Sequence, residues 1–534
     1  MSVDSAKSGK LGSDVVLALV AMCLCVFLIA NDFVAMSVAL PAMEAELNTD
    51  VSELQWVINA YAVIFGVMIV PGGRLADMFG RLRILFIGTG IFAVFSLLGG
   101  LAPDIYTLIA ARGLQGVGGA LMWPAILGLI YQILPAAKAG LAGGLVIGVA
   151  GIGNATGPLL GGALTELASW RWILLINVPI ALVAVAVTWR TVHVKSPDEH
   201  GKVDYWGSLL LGVSLISLLV SLTEAPDVGW SDPFVWGLLI VAALAMVAFV
   251  LRQRMAGDDA LIPGAVIGHR PLLYACLSVL MTSSIFFSAL LYLPQYFEKV
   301  FDQNPLQAGA SLLPFMAVFA VASFSESWLI NRVGLKAVIS VGALCMFVGP
   351  ALLVLLIEPE SGFTAFLPGM IVLGIGVGLF ASAVTTAALT ALDPSMSSLA
   401  GGLVYMFQVA GGAVGLGITT TIFLVAANAG ITDGSQAIGI TLNSAEIEAI
   451  RGVIVGTDNS ATVLQQYPGK TGEQLVEVVR IAFADGVKWA FSFNAALSFI
   501  GMLIAVFAVG GPITRFGRDV GEFEAAAAEQ SAGD

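Results

Sequence analysis

Charge is what this sequence has least of. Only 11% of its 534 residues are Asp, Glu, Lys or Arg, and 58% are apolar, whereas a water-soluble domain carries about 25% charged residues. So few charges cannot cover a surface in water, which excludes a soluble globular chain and leaves lipid as the surrounding medium. Histidine is scarce: His193, His200 and His269 are the three, all between apolar runs, which argues against a histidine proton relay. The four cysteines, Cys23, Cys25, Cys276 and Cys345, sit inside apolar runs and read as small core residues, so neither a disulfide nor a zinc site is expected. A GxxxxGK[ST] phosphate loop is missing, and with it any sign of ATP drive. No basic patch suggests nucleic acid, and no nucleophile–base pair suggests an enzyme. The net charge of −13 is concentrated in a few loops and the two ends and says little about partners.

What is present is apolar length. Runs of about 20 residues, enough to cross a hydrocarbon core of roughly 30 Å, recur along the whole chain. We count fourteen, from 14–36 through 397–427 to the last at 487–510. The first has no small-residue cleavage site and is too long for a signal peptide, so it reads as a retained helix. Most of the 23 Lys and Arg fall in alternate connections that include both ends of the chain. The positive-inside rule then places both termini in the cytoplasm of a multi-pass cell (inner) membrane protein. A long outer loop, 428–486, holds two helix starts, Asn443 with Glu446 and Thr471 with Gln474, each at capping-box spacing. It reads as a spacer or, alternatively, as a lid.

Six residues, LAGGLV, occur at 141–146 and again at 399–404, 258 residues apart. Other matches keep the order: Gly116 and Gly118 meet Gly374 and Gly376, and Gly80 meets Gly334. Chance matches would not stay collinear. The offset exceeds the length of a six-helix half by about two helices. The expectation is an all-α membrane protein of two six-helix parallel repeats plus two inserted helices. Its parts are a cytoplasmic N-terminus (1–13), a first half (14–190), the insert (191–270), a second half (271–510) and a cytoplasmic tail (511–534). Parallel repeats with a cavity between them at the midplane are a transporter architecture.

Against that apolar background a few residues stand out. Asp32 lies inside the first run, where a carboxylate costs roughly 2.5–3.5 kcal/mol. It reads as a proton carrier or as an acid paired within the bundle. Arg112 lies inside the fourth and needs an acid or carbonyls; it is expected near Asp32. GGRLADMFGRLR at 72–83 supplies Gly73, Asp77, Gly80 and Arg81 at a tight helix–helix turn, with Asp77 placed to meet the start of the thirteenth helix. Gly153, Gly157 and Gly161 lie four apart on one helix face with Pro158 beside them, a pattern for close packing and a bend. Cavity candidates are Trp56, Asn59, Tyr61, Trp123, Asn154, Phe286, Phe287, Gln408 and Asn494; each also suits ordinary packing. Glu326, near the inner end of the tenth run, is a second embedded acid.

At these residues the chain resembles the major facilitator superfamily, and within it the fourteen-helix drug:proton antiporters. GGRLADMFGRLR is similar to the family's loop between helices 2 and 3, ARGLQGVGG to the helix 4 arginine motif, and GNATGPLLGG to the helix 5 motif of antiporters. NDFVAMSVALP is similar to the helix 1 acidic motif, and WRWILLINVPI to the helix 6 signature. The chain departs from the pattern at Asn31, Val34 and Ser37, around Asp32. The inner end of the fourth run offers no acid to Arg81, and Asn331 stands at the second-half position of Asp77. The resemblance implies proton-coupled export of amphipathic or cationic drugs by alternating access, with a small-molecule substrate, protons and the bilayer as partners. It implies no cofactor beyond the proton gradient, and a monomer. The alternatives are export of an endogenous metabolite, lipid or siderophore, a proton-linked symporter, or a sensor on the same scaffold.

Overall fold

The computed structural model describes residues 12–47, 49, 51–134, 141–194, 204–358, 361–440 and 470–509. These residues are helical throughout, and fourteen helices are long and apolar enough to span a membrane. We label them α1 (Ser13–Leu47), α2 (Val51–Phe79), α3 (Arg81–Gly100), α4 (Ile105–Ile133), α5 (Leu141–Leu167), α6 (Arg171–Thr191) and α7 (Tyr205–Val228). The rest are α8 (Pro233–Ala256), α9 (Arg270–Lys299), α10 (Leu313–Val333), α11 (Leu335–Leu356), α12 (Leu367–Ala391), α13 (Ser397–Ala437) and α14 (Lys470–Ala508).

Local chemistry sets several of the boundaries. Gly80 and Gly334 both adopt positive φ, 98° and 88°, a conformation glycine reaches without a Cβ clash. They break the chain at the α2/α3 and α10/α11 turns, the same place in each repeat. The Asp104 carboxylate accepts from the Thr107 amide at 2.9 Å and caps α4; the Thr107 bonds hold this carboxyl below its ordinary pKa. Asp232 caps α8 through the Phe234 amide at 2.7 Å, with Pro233 in the first turn where no N–H is needed. α6 is interrupted at Ile176. Pro179 offers no N–H to the Leu175 carbonyl and crowds it.

Packing repeats across the two halves. α1 packs on α5 and α6, and α4 on α2 and α3; α9 packs on α13 and α14, and α12 on α10 and α11. The halves meet through α2 with α13 and α5 with α10, equivalent pairs under the repeat. α7 and α8 pair with each other, and α7 leans on α2 and α13. Asp204 ties this inserted pair together: its buried carboxylate accepts from Arg252 Nε at 3.2 Å, Gln253 Nε2 at 2.9 Å and the Gly207 amide at 3.0 Å.

Four boundaries differ from the sequence expectation. α1 and α2 continue past their apolar runs, and α13 runs to Ala437. α14 begins at Lys470 rather than 487, because Glu473, Glu477, Arg480 and Lys488 dilute its hydropathy without breaking the helix. The stretch expected as an outer loop at 428–486 is therefore helical at both ends. The helix start expected at Asn443 lies outside the described residues, as does the tail from 511.

Candidate functional site

Asp32 and Arg112 meet in the first half, both fully buried. Arg112 Nη1 donates to Asp32 Oδ2 in a short contact and to Gln115 Oε1 at 2.7 Å, while Nε donates to the Val57 carbonyl at 3.0 Å. The other Asp32 oxygen accepts from Asn177 Nδ2 at 2.8 Å and Gln115 Nε2 at 3.3 Å. Ser96 accepts from the same two amides, at 3.0 and 3.2 Å, and donates to the Leu174 carbonyl at 2.9 Å. Four membrane helices beyond α1 thus converge on one carboxylate, and the break in α6 puts Asn177 within reach. Arg112 Nη2 has no partner. The guanidinium instead lies over the Tyr61 ring, 4.5 Å from its centre, an arrangement worth about 0.5–2 kcal/mol.

α5 presses on α1 around this pair. A Cβ on Gly153 or Gly157 would stand 2.9 Å from the Cβ of Ala30 or Val34, so the glycine stripe sets the distance between the two helices. Asn31 turns away from Asp32 and donates to the Gly153 carbonyl at 3.3 Å. Pro158 faces Gly309 of the short helix Pro305–Ser311.

The central cavity lies between the halves. Tyr61, Trp123, Asn154, Phe286, Phe287 and Gln408 line it, joined by Phe65, Phe319 and Tyr405. Tyr405 crosses from the second half to meet Trp123 at a tilt, 4.4 Å between ring centres, and Phe65 edge-on at 5.5 Å. No Asp, Glu, Lys or Arg is among the described residues of the lining. Tyr61 belongs both to this wall and to the Arg112 stack, so one ring separates the charge pair from the cavity.

Three cavity candidates lie elsewhere. Trp56 and Asn59 are part-buried on α2, outside the lining. Asn494 is buried in the second half, where its amide donates to Thr419 at 3.0 Å and to the Ala490 carbonyl at 2.8 Å, and its oxygen accepts from Ser284 at 2.6 Å. An amide satisfied in this way has no capacity left for a ligand.

The basic end of the bundle carries the third constellation. Asp77 Oδ2 accepts from the Leu399 amide at 2.8 Å and Oδ1 from the Ser398 amide at 3.3 Å, so the acid sits on the first turn of α13. Arg81 Nε donates to Asp77 Oδ1 at 3.0 Å, Nη1 to the Gly128 carbonyl at 3.2 Å, and Nη2 to the Pro394 carbonyl at 2.5 Å. Where α4 offers no acid, Arg81 takes a carbonyl and the Gln132 amide oxygen. A Cβ on Gly73 would come within 2.7 Å of the Ser398 carbonyl, so only glycine admits this approach. Asp77→Asn removes an anion from a helix N-terminus, an interaction worth about 0.3–1 kcal/mol and up to roughly 2 when partly buried. The expected result is a closed-to-open ratio at this end lowered by up to about thirtyfold, read as faster alkylation of a Ser397→Cys reporter. An unchanged rate removes Asp77 from the closure.

Ser96, Gln115, Asn177, Phe65, Phe319 and Tyr405 are among the site residues that sequence reading did not single out. Gln115 carried a signal, since it follows Arg112 by three residues and shares its helix face.

Comparisons with known proteins place the family and the fold. Residues 22–416 match the Major Facilitator Superfamily model. A puromycin resistance protein of Streptomyces alboniger is 35% identical over 76% of this chain and 81% of its own. A tetracenomycin C resistance and export protein of Streptomyces glaucescens is 28% identical over 92% and 90%. A cephamycin export protein of Amycolatopsis lactamdurans is 31% identical over 76% and 84%. The human organic anion transporter MFSD10 matches in fold with a TM-score of 0.59 at 12% identity, over 93% of this chain and all of that one. The chain belongs to the Major Facilitator Superfamily.

Proposed function

We propose that this protein exports amphipathic aromatic compounds from the cytoplasm by alternating access, driven by proton entry. The carrying observation is the buried Asp32–Arg112 pair, separated from the cavity by Tyr61 alone. A proton reaching Asp32 cancels its charge and leaves Arg112 buried without its anion. Losing one member of a buried pair costs about 3–5 kcal/mol, enough to shift a two-state balance by about two to nearly four powers of ten. The guanidinium then presses on Tyr61, and the cavity wall moves with it. In the reverse direction, a substrate that displaces Tyr61 alters the hold of Arg112 on Asp32 and with it the affinity for the proton. Relatives named for resistance to puromycin or for export of tetracenomycin C support the direction of transport.

The lining sets the substrate class. Aromatic faces can hold a flat apolar ring or one dispersed positive charge. A dication would enter a low-dielectric wall with no counter-charge, at a desolvation cost that aromatic faces do not offset. Neutral and monocationic aromatics are therefore the expected cargo. The test is everted vesicles with an imposed pH gradient and a matched series of neutral, singly and doubly charged aromatic compounds. Gradient-dependent uptake of the first two, at least tenfold faster than the dication, is expected. Uptake indifferent to the gradient, or equal for the dication, overturns the reading.

A further inference from the structure

The two seams between the halves hold different acids. At the α2–α13 seam the Asp77 carboxyl is served by two backbone amides and by Arg81. At the equivalent α5–α10 seam the acid is Glu326. The register marked by Gly80 and Gly334 puts Glu326 in the place of Gly72, little more than one turn from the Asp77 position.

Glu326 is fully buried and, among the described residues, neither carboxyl oxygen reaches full hydrogen-bond geometry with a donor. α5 lies directly against it: a Cβ on Gly144 would stand 3.4 Å from Glu326 Oε2 and 2.7 Å from the Ser323 carbonyl. A Cβ on Gly143, next to it, would stand 2.6 Å from the Ser382 carbonyl oxygen and from the Thr386 hydroxyl of α12. The Ser323 hydroxyl is committed to the Gly378 carbonyl, and the Thr386 hydroxyl is the polar side chain beside the acid. No cation faces it among the described residues. α12 has no charged residue, α5 has only Glu166 at its far end, and α11 has only Lys336 in its first turn. On α10 itself, Arg332 is exposed and lies over the Trp328 ring at 4.0 Å. Lys138, before α5, is outside the described residues.

A buried carboxylate with a single hydroxyl beside it and no cation among the described residues carries nearly the full desolvation cost of its charge. α12, of the same half, covers one side of the acid, and α5, across the closed seam, covers another. Parting α5 from α10 gives the acid to water, where it ionises.

We propose that Glu326 is a second proton-binding site, occupied while the basic end is closed and emptied when the α5–α10 seam opens. The proton is held on a carboxyl oxygen and leaves to water on the basic side. One proton released on opening makes the closed-to-open ratio fall as pH rises, by up to about tenfold per pH unit. The proposal extends the proton-driven reading above, but its test needs no transport.

Spin labels on Leu141→Cys and Val333→Cys, at the basic ends of α5 and α10, report the seam in the full-length protein. The distance distribution is followed from acid to alkaline pH in three backgrounds. With Asp32→Asn, closure still weakens with rising pH. With Asp32→Asn and Glu326→Gln together, the dependence disappears and the closed distance persists at alkaline pH. With Asp32→Asn and Glu326→Asp, which keeps an acid, the dependence remains. If Asp32→Asn alone makes the seam indifferent to pH, or if Glu326→Gln leaves the dependence of the Asp32→Asn protein unchanged, Glu326 is no proton site. Failure of vesicle export with an intact pH response of the seam refutes the export reading instead.

Discussion

Arg112→Ala should abolish gradient-driven export and lower stability by about 3–5 kcal/mol, the cost of leaving one member of a buried pair alone. Asp32 would keep two neutral amide donors, from Asn177 and Gln115, and no cation. The variant therefore folds with Asp32 protonated or folds poorly. Either way the acid cannot cycle. Adding Asp32→Asn removes the orphaned charge, so the double variant should regain most of the stability and none of the transport. Arg112→Lys keeps the charge but reaches fewer acceptors, because the fork that serves Val57, Gln115 and Asp32 together is peculiar to guanidinium. Strong loss of transport with little loss of stability is expected there. Thermal unfolding in detergent and vesicle export, measured on the three variants, separate the two roles. Normal export by Arg112→Ala would end the assignment.

Asp32→Asn is expected to reduce gradient-driven export at least a hundredfold while sparing the fold. Asn is nearly isosteric, and one of its polar atoms can still accept from Asn177. It cannot take up a proton, so the step that couples the gradient to the cavity is lost. Binding in the aromatic cavity and exchange of substrate without net proton movement should both survive, because Asp32 does not line the cavity. The comparison of interest is net export against equilibrium exchange in the same vesicles. Gradient-driven export at the normal rate removes Asp32 from the mechanism; loss of exchange as well would make its role structural.

The parts of this site that were legible in the sequence are those where charge interrupts an apolar run. Asp32, Arg112, Asp77 and Glu326 are anomalies in their helices, and each occupies a place of consequence in the fold. Their neutral partners were not legible. Ser96 and Asn177 are as much at home in a membrane helix as in a loop, and nothing in their own neighbourhoods marks them as partners of Asp32. The same ambiguity separates Asn154 from Asn494. Both are amides in apolar helices, yet one faces the cavity and the other is consumed by Thr419, Ser284 and the Ala490 carbonyl. The difference lies in which helix stands opposite, and only the packed structure supplies that. The repeat was legible because the paired glycines of LAGGLV approach neighbouring helices closely and the turn glycines hold positive φ. Helix ends such as Lys470 were not, because hydropathy reports the lipid boundary while hydrogen bonding lets the helix continue beyond it.

That continuation makes α13 a lever. Its 41 residues span about 60 Å, twice the hydrocarbon thickness. One end carries the amides that receive Asp77, and the other stands clear of the bilayer beside the start of α14. A tilt of ten degrees about the middle moves each tip by about 5 Å. An antibody fragment that clamps the protruding tips of α13 and α14 together would hold the far end of the same rod, and so set the opening of a mouth it never touches.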